Sequence, residues 1–197
     1  GALLDYPKAP EHRARTTLEV TSSAYQQLAR QYGPDHITIL GDSAGGGLAL
    51  GLVNHLQEKG DPLPGSMVLF SPWLDVEMSH PEIAAYESRD LILDKQGLIR
   101  CGRMYAGEQS TDHPFISPRN TINRSLPRML ILAGSEEMLW PDIRDFATGI
   151  REAGLEVFLT CQPSMQHDYP LFTMLPAARQ ALKAAADFIH SGFRSAD

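Results

Sequence analysis

A serine occupies a position where its side chain could act as a nucleophile. Residues 41–45, GDSAG, fit the pattern G-x-S-x-G, which places a serine in a strained turn from a strand into a helix. An apolar run precedes Ser43 and small residues follow it. Gly41 and Gly45 are expected to avoid clashes with the neighbouring strand and helix. The Ala44 N–H, at the start of the helix, could stabilise a developing oxyanion.

A serine hydroxyl needs a general base, and seven histidines could supply one. In a site of this kind the acid and then the histidine follow the serine along the chain. His167 follows the last predicted strand and precedes the last predicted helix, so it should share a sheet edge with Ser43. The other six are less suitable by chain order or by placement: His12, His36, His55, His80, His113 and His190. His167 is therefore the predicted base, and an ordinary surface histidine is the alternative.

The acid that would orient the histidine is expected after the strand predicted at residues 128–133. Glu137 is the first choice because it lies close to the end of that strand. Asp142 is the second choice, although an acid in a first helical turn is often a partner of the helix dipole. Glu136 also stays open, because the sequence does not decide which of the two neighbouring glutamates faces inward.

Short apolar runs alternate with longer helical patterns along the chain. Five runs rich in Ile, Val, Leu and Phe are predicted to be buried strands: Ala2–Tyr6, His36–Gly41, Ser66–Ser71, Arg128–Ala133 and Glu156–Gln162. Helical patterns lie between them, at about 18–32, 45–59, 141–154 and 176–190. The alternation predicts an α/β fold, with a mainly parallel sheet flanked by helices, in a single domain over residues 1–197.

One segment interrupts the alternation. Residues 75–118 contain no clear strand but two weak helical patterns, Pro81–Tyr86 and Lys95–Tyr105. Long connections usually have a function, so we expect this excursion to cover the site. Four apolar residues near strand ends could line a substrate pocket or belong to the core: Trp73, Leu74, Leu171 and Phe172.

The composition excludes several classes of function. A formal net charge of -7 disfavours nucleic acid and anionic membranes as partners, and 43% hydrophobic residues allow a sizeable core. The sequence has neither an apolar run of membrane-spanning length nor a signal-peptide pattern. Cys101 and Cys161 are too few for a disulfide framework. With no metal or nucleotide motif either, we expect a soluble, cytoplasmic protein without a cofactor.

Four blocks of the sequence together resemble one family. They are DYPKAPEH at 5–12, GDSAGG at 41–46, SPWLD at 71–75 and GSEEML at 134–139. In this order they are similar to motifs of the hormone-sensitive-lipase-like family of α/β-hydrolases. The resemblance implies the α/β-hydrolase fold and a carboxylesterase with Ser43 as nucleophile, Glu137 as acid and His167 as base. It also implies hydrolysis of short to medium acyl esters through an acyl-enzyme.

The H-G-G-G motif of that family is absent from the sequence. In the family its amides supply most of the oxyanion hole, and its strand would lie between the Ala2–Tyr6 strand and the Ser43 strand. Without it, Ala44 is the recognised oxyanion donor and the sheet would lack an interior strand. We therefore expect an N-terminally incomplete hydrolase domain that needs a companion N-terminal segment. The alternative is a short, rearranged relative.

Two further functions stay open. A lactone hydrolase or a peptidase would use the same three residues, whereas a ligand-binding relative would have lost catalysis. A binding protein has no need of a base, which favours the enzyme, but the absent motif favours the binding protein. The expected partner is a small-molecule ester. The resemblance also allows a homodimer through the last strand and helix.

Overall fold

The computed structural model describes residues 1–121 and 125–194, in which helices and strands alternate. The helices are α1 (Ala14–Tyr32), α2 (Ala44–Lys59), α3 (Lys95–Ala106), α4 (Trp140–Glu152) and α5 (Pro176–Arg194). The strands are β1 (Thr38–Asp42), β2 (Ser66–Phe70), β3 (Arg128–Gly134) and β4 (Val157–Gln162). Short 3₁₀ turns lie at Pro34–His36, Pro81–Ala85, Pro118–Asn120 and Tyr169–Leu171. Four of the five predicted strands and all four main helical patterns are thus confirmed.

The strands form one parallel sheet in the order β1-β2-β3-β4. Leu40 pairs with Val68, Val68 with Leu130, and Leu130 with Phe158, so the carboxyl ends of all four strands lie at one edge. Every residue of β2 is buried, which explains why its sequence SMVLF lacks an apolar–polar alternation. The predicted α/β fold, with a parallel sheet flanked by helices, is confirmed.

Alternate residues of the central strands pack against different helices. Met67 belongs to the larger core, together with Leu50 of α2 and Phe146 of α4. Val68 belongs to a second core on the other face, together with Phe188 of α5. Because successive side chains of a strand point to opposite faces, neighbouring residues of β2 help to build different layers.

The prediction of a strand at Ala2–Tyr6 is wrong. These residues form no strand, and Leu3 is fully exposed at 101%. An apolar pattern becomes a strand only when a neighbouring strand accepts its hydrogen bonds, and no described strand lies beside this segment. The sheet therefore has no interior gap, and β1 is instead an edge strand whose residue Leu40 is 53% exposed.

Residues 75–118 form the expected, partly helical excursion. They contain the 3₁₀ turn Pro81–Ala85 and helix α3. Val76 and Ile83 are buried in the larger core, so the excursion is packed against the sheet layers.

None of the helices within residues 1–121 and 125–194 has both the length and the apolarity that crossing a membrane requires. Cys101 and Cys161 are free thiols. The cytoplasmic location and the single-domain organisation stay predictions.

Candidate active site

Ser43 lies in the turn between β1 and α2, at the carboxyl edge of the sheet. Its backbone angles, φ 49° and ψ -117°, are rarely adopted by residues other than glycine, and such a conformation costs on the order of 1–3 kcal/mol. The Ser43 N–H donates to the Phe70 carbonyl at 2.9 Å, and the Trp73 N–H donates to the Ser43 carbonyl at 2.9 Å. The neighbouring strand end therefore holds the strained turn that was predicted for residues 41–45.

This turn requires glycine at one end of the pentapeptide only. A Cβ atom on Gly41 would lie 2.4 Å from the Gly45 carbonyl oxygen, which is a severe clash. A Cβ atom on Gly45 would meet nothing nearer than Asp42 Oδ1 at 3.8 Å. The close approach expected at Gly45 occurs instead at Gly46, where a Cβ atom would lie 2.8 Å from Pro72 Cβ. The steric expectation for Gly45 is therefore wrong within the described structure.

Three of the predicted site residues form one hydrogen-bonded chain. His167 Nε2 lies 2.9 Å from Ser43 Oγ, and His167 Nδ1 lies 2.7 Å from Glu137 Oε2. The glutamate follows β3 and the histidine follows β4, so both reach the sheet edge that carries the serine. Glu137 is 0% exposed and His167 is 4% exposed, so this contact is shielded from water.

Ser71, directly after β2, is a further residue of the site for which no role was predicted. Its hydroxyl donates to Glu137 Oε1 at 2.9 Å and accepts from the Asp168 N–H at 3.1 Å. The Gly134 N–H donates to the same glutamate oxygen at 2.7 Å. Ser71 thus joins the loop of the acid to the loop of the histidine. The available signal was its position at the end of a predicted strand, on the edge that carries Ser43.

The other two candidate acids have different partners. Glu136 forms an ion pair with Arg89 at 2.7 Å. Asp142 is buried in α4 and lies 3.8 Å from Arg119 Nη1. Among these three acids, Glu137 is therefore the one whose carboxylate contacts the imidazole in the described part of the chain.

A second carboxylate, which the sequence interpretation did not select, also contacts the imidazole. Asp168 Oδ2 lies 3.1 Å from His167 Nε2, the same nitrogen that faces Ser43. Burial lowers the pKa of His167, but the contacts with the Asp168 and Glu137 carboxylates outweigh it, and the pKa rises to about 9. Burial raises the pKa of the Glu137 carboxyl, and the donors that point at it oppose this effect.

Residues 89–91 of the excursion, called the strap below, connect the loops of the acid and the histidine. Asp90 Oδ2 accepts a hydrogen bond at 2.9 Å from the N–H of Met138, which follows the acid. The side chain of Gln166, which precedes the histidine, donates to the Arg89 carbonyl at 3.0 Å. The excursion therefore contacts both loops.

An apolar cavity of about 260 Å³ lies beside the serine turn. Its wall combines α2, the excursion and the N-terminal segment, and includes Tyr6, Ala44, Leu48, Trp73, Tyr105 and Phe115. Trp73 lines this cavity and also packs in the larger core, and its contact with a substrate stays a prediction. Leu74 does not, because it is fully buried in the larger core. Leu171 and Phe172 are 56% and 42% exposed and are not part of this wall, so their contact with a substrate stays a prediction.

Ala44 is the first residue of α2, a position whose N–H has no acceptor within the helix. The N–H groups of Gly46 and Gly47 both donate to the Ser43 carbonyl, at 3.1 and 3.2 Å. The Gly46 and Gly47 amides are therefore engaged, and the Ala44 amide stays the predicted oxyanion donor.

Other histidines of the described structure lie outside this hydrogen-bonded chain. His80 contacts Asp145 at 2.9 Å, and His113 Nδ1 accepts from the Phe115 N–H at 3.3 Å. Within residues 1–121 and 125–194, no group of three or more His, Cys, Asp or Glu side chains could hold a metal ion.

The fold and the site define the class of protein to which the chain belongs. A family model described as alpha/beta hydrolase fold matches residues 2–171. The chain is therefore a member of the α/β-hydrolase fold family.

Individual relatives refine this assignment. An acetyl-hydrolase of Streptomyces hygroscopicus is 33% identical, over 95% of this chain and 64% of the relative. The crystal structure of an esterase from the bacterial hormone-sensitive lipase family is 32% identical with a TM-score of 0.91, over 96% of this chain and 64% of that one. A structure of EstE5 soaked with p-nitrophenyl butyrate is 30% identical with a TM-score of 0.91, over 98% and 65%. The resemblance to the hormone-sensitive-lipase-like family is confirmed, and the chain spans just under two thirds of the length of these relatives.

Proposed function

We propose that the chain carries the catalytic residues of a serine carboxylesterase that hydrolyses short to medium acyl esters. The observation that carries the proposal is the hydrogen-bonded chain from Ser43 through His167 to Glu137 at the carboxyl edge of the sheet. The acetyl-hydrolase and the esterases among the relatives support an ester as the substrate.

Acylation begins with the hydroxyl of Ser43. Nε2 of the neutral His167 accepts the serine proton while Oγ forms a bond to the ester carbonyl carbon. Glu137 accepts the Nδ1–H and stabilises the imidazolium that results. The oxyanion of the tetrahedral intermediate accepts a hydrogen bond from the Ala44 N–H. The imidazolium then gives its Nε2 proton to the alcohol oxygen, the ester C–O bond breaks, and the alcohol leaves.

Deacylation repeats these steps with water in place of the serine. Nε2 of His167 accepts a proton from water while the water oxygen bonds to the acyl carbon. The second tetrahedral intermediate collapses, the bond between the acyl carbon and Ser43 Oγ breaks, and the imidazolium returns a proton to Oγ. The carboxylic acid leaves and the site is restored.

A single oxyanion donor is insufficient for efficient turnover, because removing one donor from such a hole costs about 10²–10³ in rate. The outer edge of β1 has no partner strand among the described residues, and Leu40 is half-exposed there. We therefore propose that a companion N-terminal segment pairs with this edge and brings a second donor close to Ser43.

The test is hydrolysis of p-nitrophenyl butyrate, with Ser43→Ala beside Ser23→Ala, a substitution on an exposed face of α1. We expect Ser43→Ala to lower turnover by a factor on the order of 10⁴–10⁶ and Ser23→Ala to leave it unchanged. Labelling by a fluorophosphonate should modify Ser43, and His167→Ala should abolish the labelling.

Each other outcome has a definite meaning. Equal turnover by Ser43→Ala would mean that another residue is the nucleophile. A folded sample that binds ligand but is neither active nor labelled, even with the N-terminal segment supplied, would favour the ligand-binding relative. Turnover that needs the added segment would support both the esterase and the companion segment.

A further inference from the structure

Two carboxylates contact the single imidazole of the site, one at each ring nitrogen. Glu137 Oε2 lies 2.7 Å from His167 Nδ1, and Asp168 Oδ2 lies 3.1 Å from Nε2. The second contact is on the nitrogen that must accept the proton of Ser43. We propose that Asp168 is a positioning residue that holds His167 in its protonated form in the resting site, and that it thereby sets the pH above which the serine can be activated. This inference rests on the proposed function.

The two carboxylates beside the ring favour the imidazolium. A neutral imidazole has one N–H, and contact with Glu137 places it on Nδ1, from which Glu137 accepts a hydrogen bond. Nε2 then carries a lone pair that faces Ser43 Oγ at 2.9 Å, with the negatively charged Asp168 Oδ2 3.1 Å away. In the imidazolium, Nδ1–H donates to Glu137 and the positive charge of the ring attracts the Asp168 carboxylate 3.1 Å from Nε2.

The charge of Asp168 leads to the same conclusion. Its side chain is only 14% exposed, and its Oδ1 atom is buried without a hydrogen-bond partner in the described structure. No Lys or Arg of residues 1–121 and 125–194 forms an ion pair with it, so His167 is the cation available to it there. A buried carboxylate is costly without a paired cation, which favours the protonated ring.

The backbone holds Asp168 in this place. Its φ of 53° is in the left-handed region, which aspartate and asparagine tolerate better than most residues. Its N–H donates to the Ser71 hydroxyl, which in turn donates to Glu137. The carboxylate is therefore fixed relative to the imidazole by the same network that fixes the acid.

The consequence is a site that becomes competent as the pH rises. The imidazolium donates Nε2–H towards Ser43 instead of accepting the serine proton, so the resting serine is not activated. The pKa of His167 is about 9, since the two carboxylates outweigh burial. Around the ring lie the uncharged Ser43 and Ser71 and the carboxylates of Glu137 and Asp168, while Glu136 in the neighbouring loop is paired with Arg89.

The experiment follows the titration of His167 by NMR in the wild type and in Asp168→Asn, with His167→Gln to assign the signal. Asparagine keeps the shape and tolerates the left-handed backbone, but it carries no charge. We expect the midpoint to fall by about 1–3 pH units in Asp168→Asn, the usual effect of one adjacent charge. The rate of fluorophosphonate labelling should rise with pH, and the midpoint of this rise should move to lower pH by the same amount. Glu136→Gln removes one charge from the neighbouring loop and should leave the midpoint in place.

An unchanged midpoint in Asp168→Asn would overturn the inference, as would an equal fall in Glu136→Gln. A wild-type midpoint at or below about 6.5, the ordinary value for histidine, would overturn it without any variant. Because the NMR titration needs no turnover, a shifted midpoint in a protein that is never labelled would contradict the esterase and not the role of Asp168.

Discussion

Glu136 and Glu137 are neighbours in the chain, but one is partly exposed and the other is buried. Glu137 is fully buried and accepts hydrogen bonds from Ser71, Gly134 and His167. Glu136 forms its ion pair on the outer side of the same turn. A one-residue step thus separates a carboxylate that contacts the imidazole from one that forms an ion pair with Arg89 of the excursion.

The first prediction concerns these two glutamates. Glu137→Gln should lower kcat for p-nitrophenyl butyrate by about 10⁴, because the amide no longer selects the tautomer that leaves Nε2 free to accept a proton. Glu136→Gln is the matched control and should lower kcat by less than about tenfold, since a surface ion pair contributes about 0–1 kcal/mol. Steady-state kinetics on both variants measures this difference. Equal losses would contradict the assignment of Glu137 as the acid.

At the scale of elements, the strap links the excursion to both loops of the site. Asp90 is buried and its Oδ1 accepts from the N–H groups of Ile92 and Leu93, at 2.9 Å each, which shapes the strap. Its Oδ2 accepts from the Met138 N–H beside the acid. One side chain therefore orders a loop of the excursion and a loop of the sheet together.

We predict that Asp90→Ala reduces kcat with little change in KM. The substitution leaves the buried Met138 N–H without its acceptor, which costs about 1–3 kcal/mol of stability and loosens the acid. Asp94→Ala is the control, because Asp94 caps α3 through the Gly97 N–H in the same excursion and does not contact the acid loop. It should cost about 0.5–2 kcal/mol in urea unfolding but leave kcat unchanged. A similar fall of kcat in both variants would assign the effect to general destabilisation.

At the scale of the whole molecule, a charge cluster joins Asp75 at the start of the excursion and Arg119 just after its end to Asp142 of α4. Arg119 Nη1 lies 2.9 Å from Asp75 Oδ2 and 3.8 Å from Asp142 Oδ1. Asp75 is 0% exposed and Asp142 is 5% exposed. Burial and the nearby Asp75 carboxylate raise the pKa of Asp142 to about 6, against the attraction of Arg119.

This cluster predicts a pH dependence of stability. The unfolded carboxyl of Asp142 has a pKa of 3.8, so between about pH 4 and pH 6 the folded state holds a proton that the unfolded state has lost. Stability should therefore fall as the pH rises through this window. With about 1.36 kcal/mol for each pKa unit, the loss is about 3 kcal/mol. Asp142→Asn should remove this fall when urea unfolding is measured from pH 4 to pH 7.

Asp145, on the same helix, is the control, because its pKa is shifted in the opposite direction from that of Asp142. Its carboxyl remains partly open to water, and its pKa is lowered because contacts with His80 and Arg144 outweigh burial. A lowered pKa makes stability rise with pH only below about pH 4, so Asp145→Asn should leave the fall between pH 4 and pH 7 in place. A slope that is the same in the wild type and Asp142→Asn would contradict a raised pKa at Asp142.

Much of the fold could be predicted because its signals are local. The buried run SMVLF indicates a central strand, and Gly60, in the left-handed conformation with φ 70°, ends α2 as its sequence position suggests. The Ala2–Tyr6 segment shows the limit of such signals. Its pattern is also apolar, but a strand depends on a partner that the segment itself does not contain.

By itself, the sequence determined the kinds of residues that meet at the site and their order along the chain: a serine in GDSAG, an acid after β3, and a histidine after β4. Chain order suffices for this because parallel strands end at the same edge of a sheet. Only the tertiary structure decided that Glu137 reaches the imidazole, that Ser71 and Asp168 join it, and that Leu74 belongs to the core. Ser71 and Glu137 are 66 residues apart, and the direction of each side chain depends on packing between such distant segments.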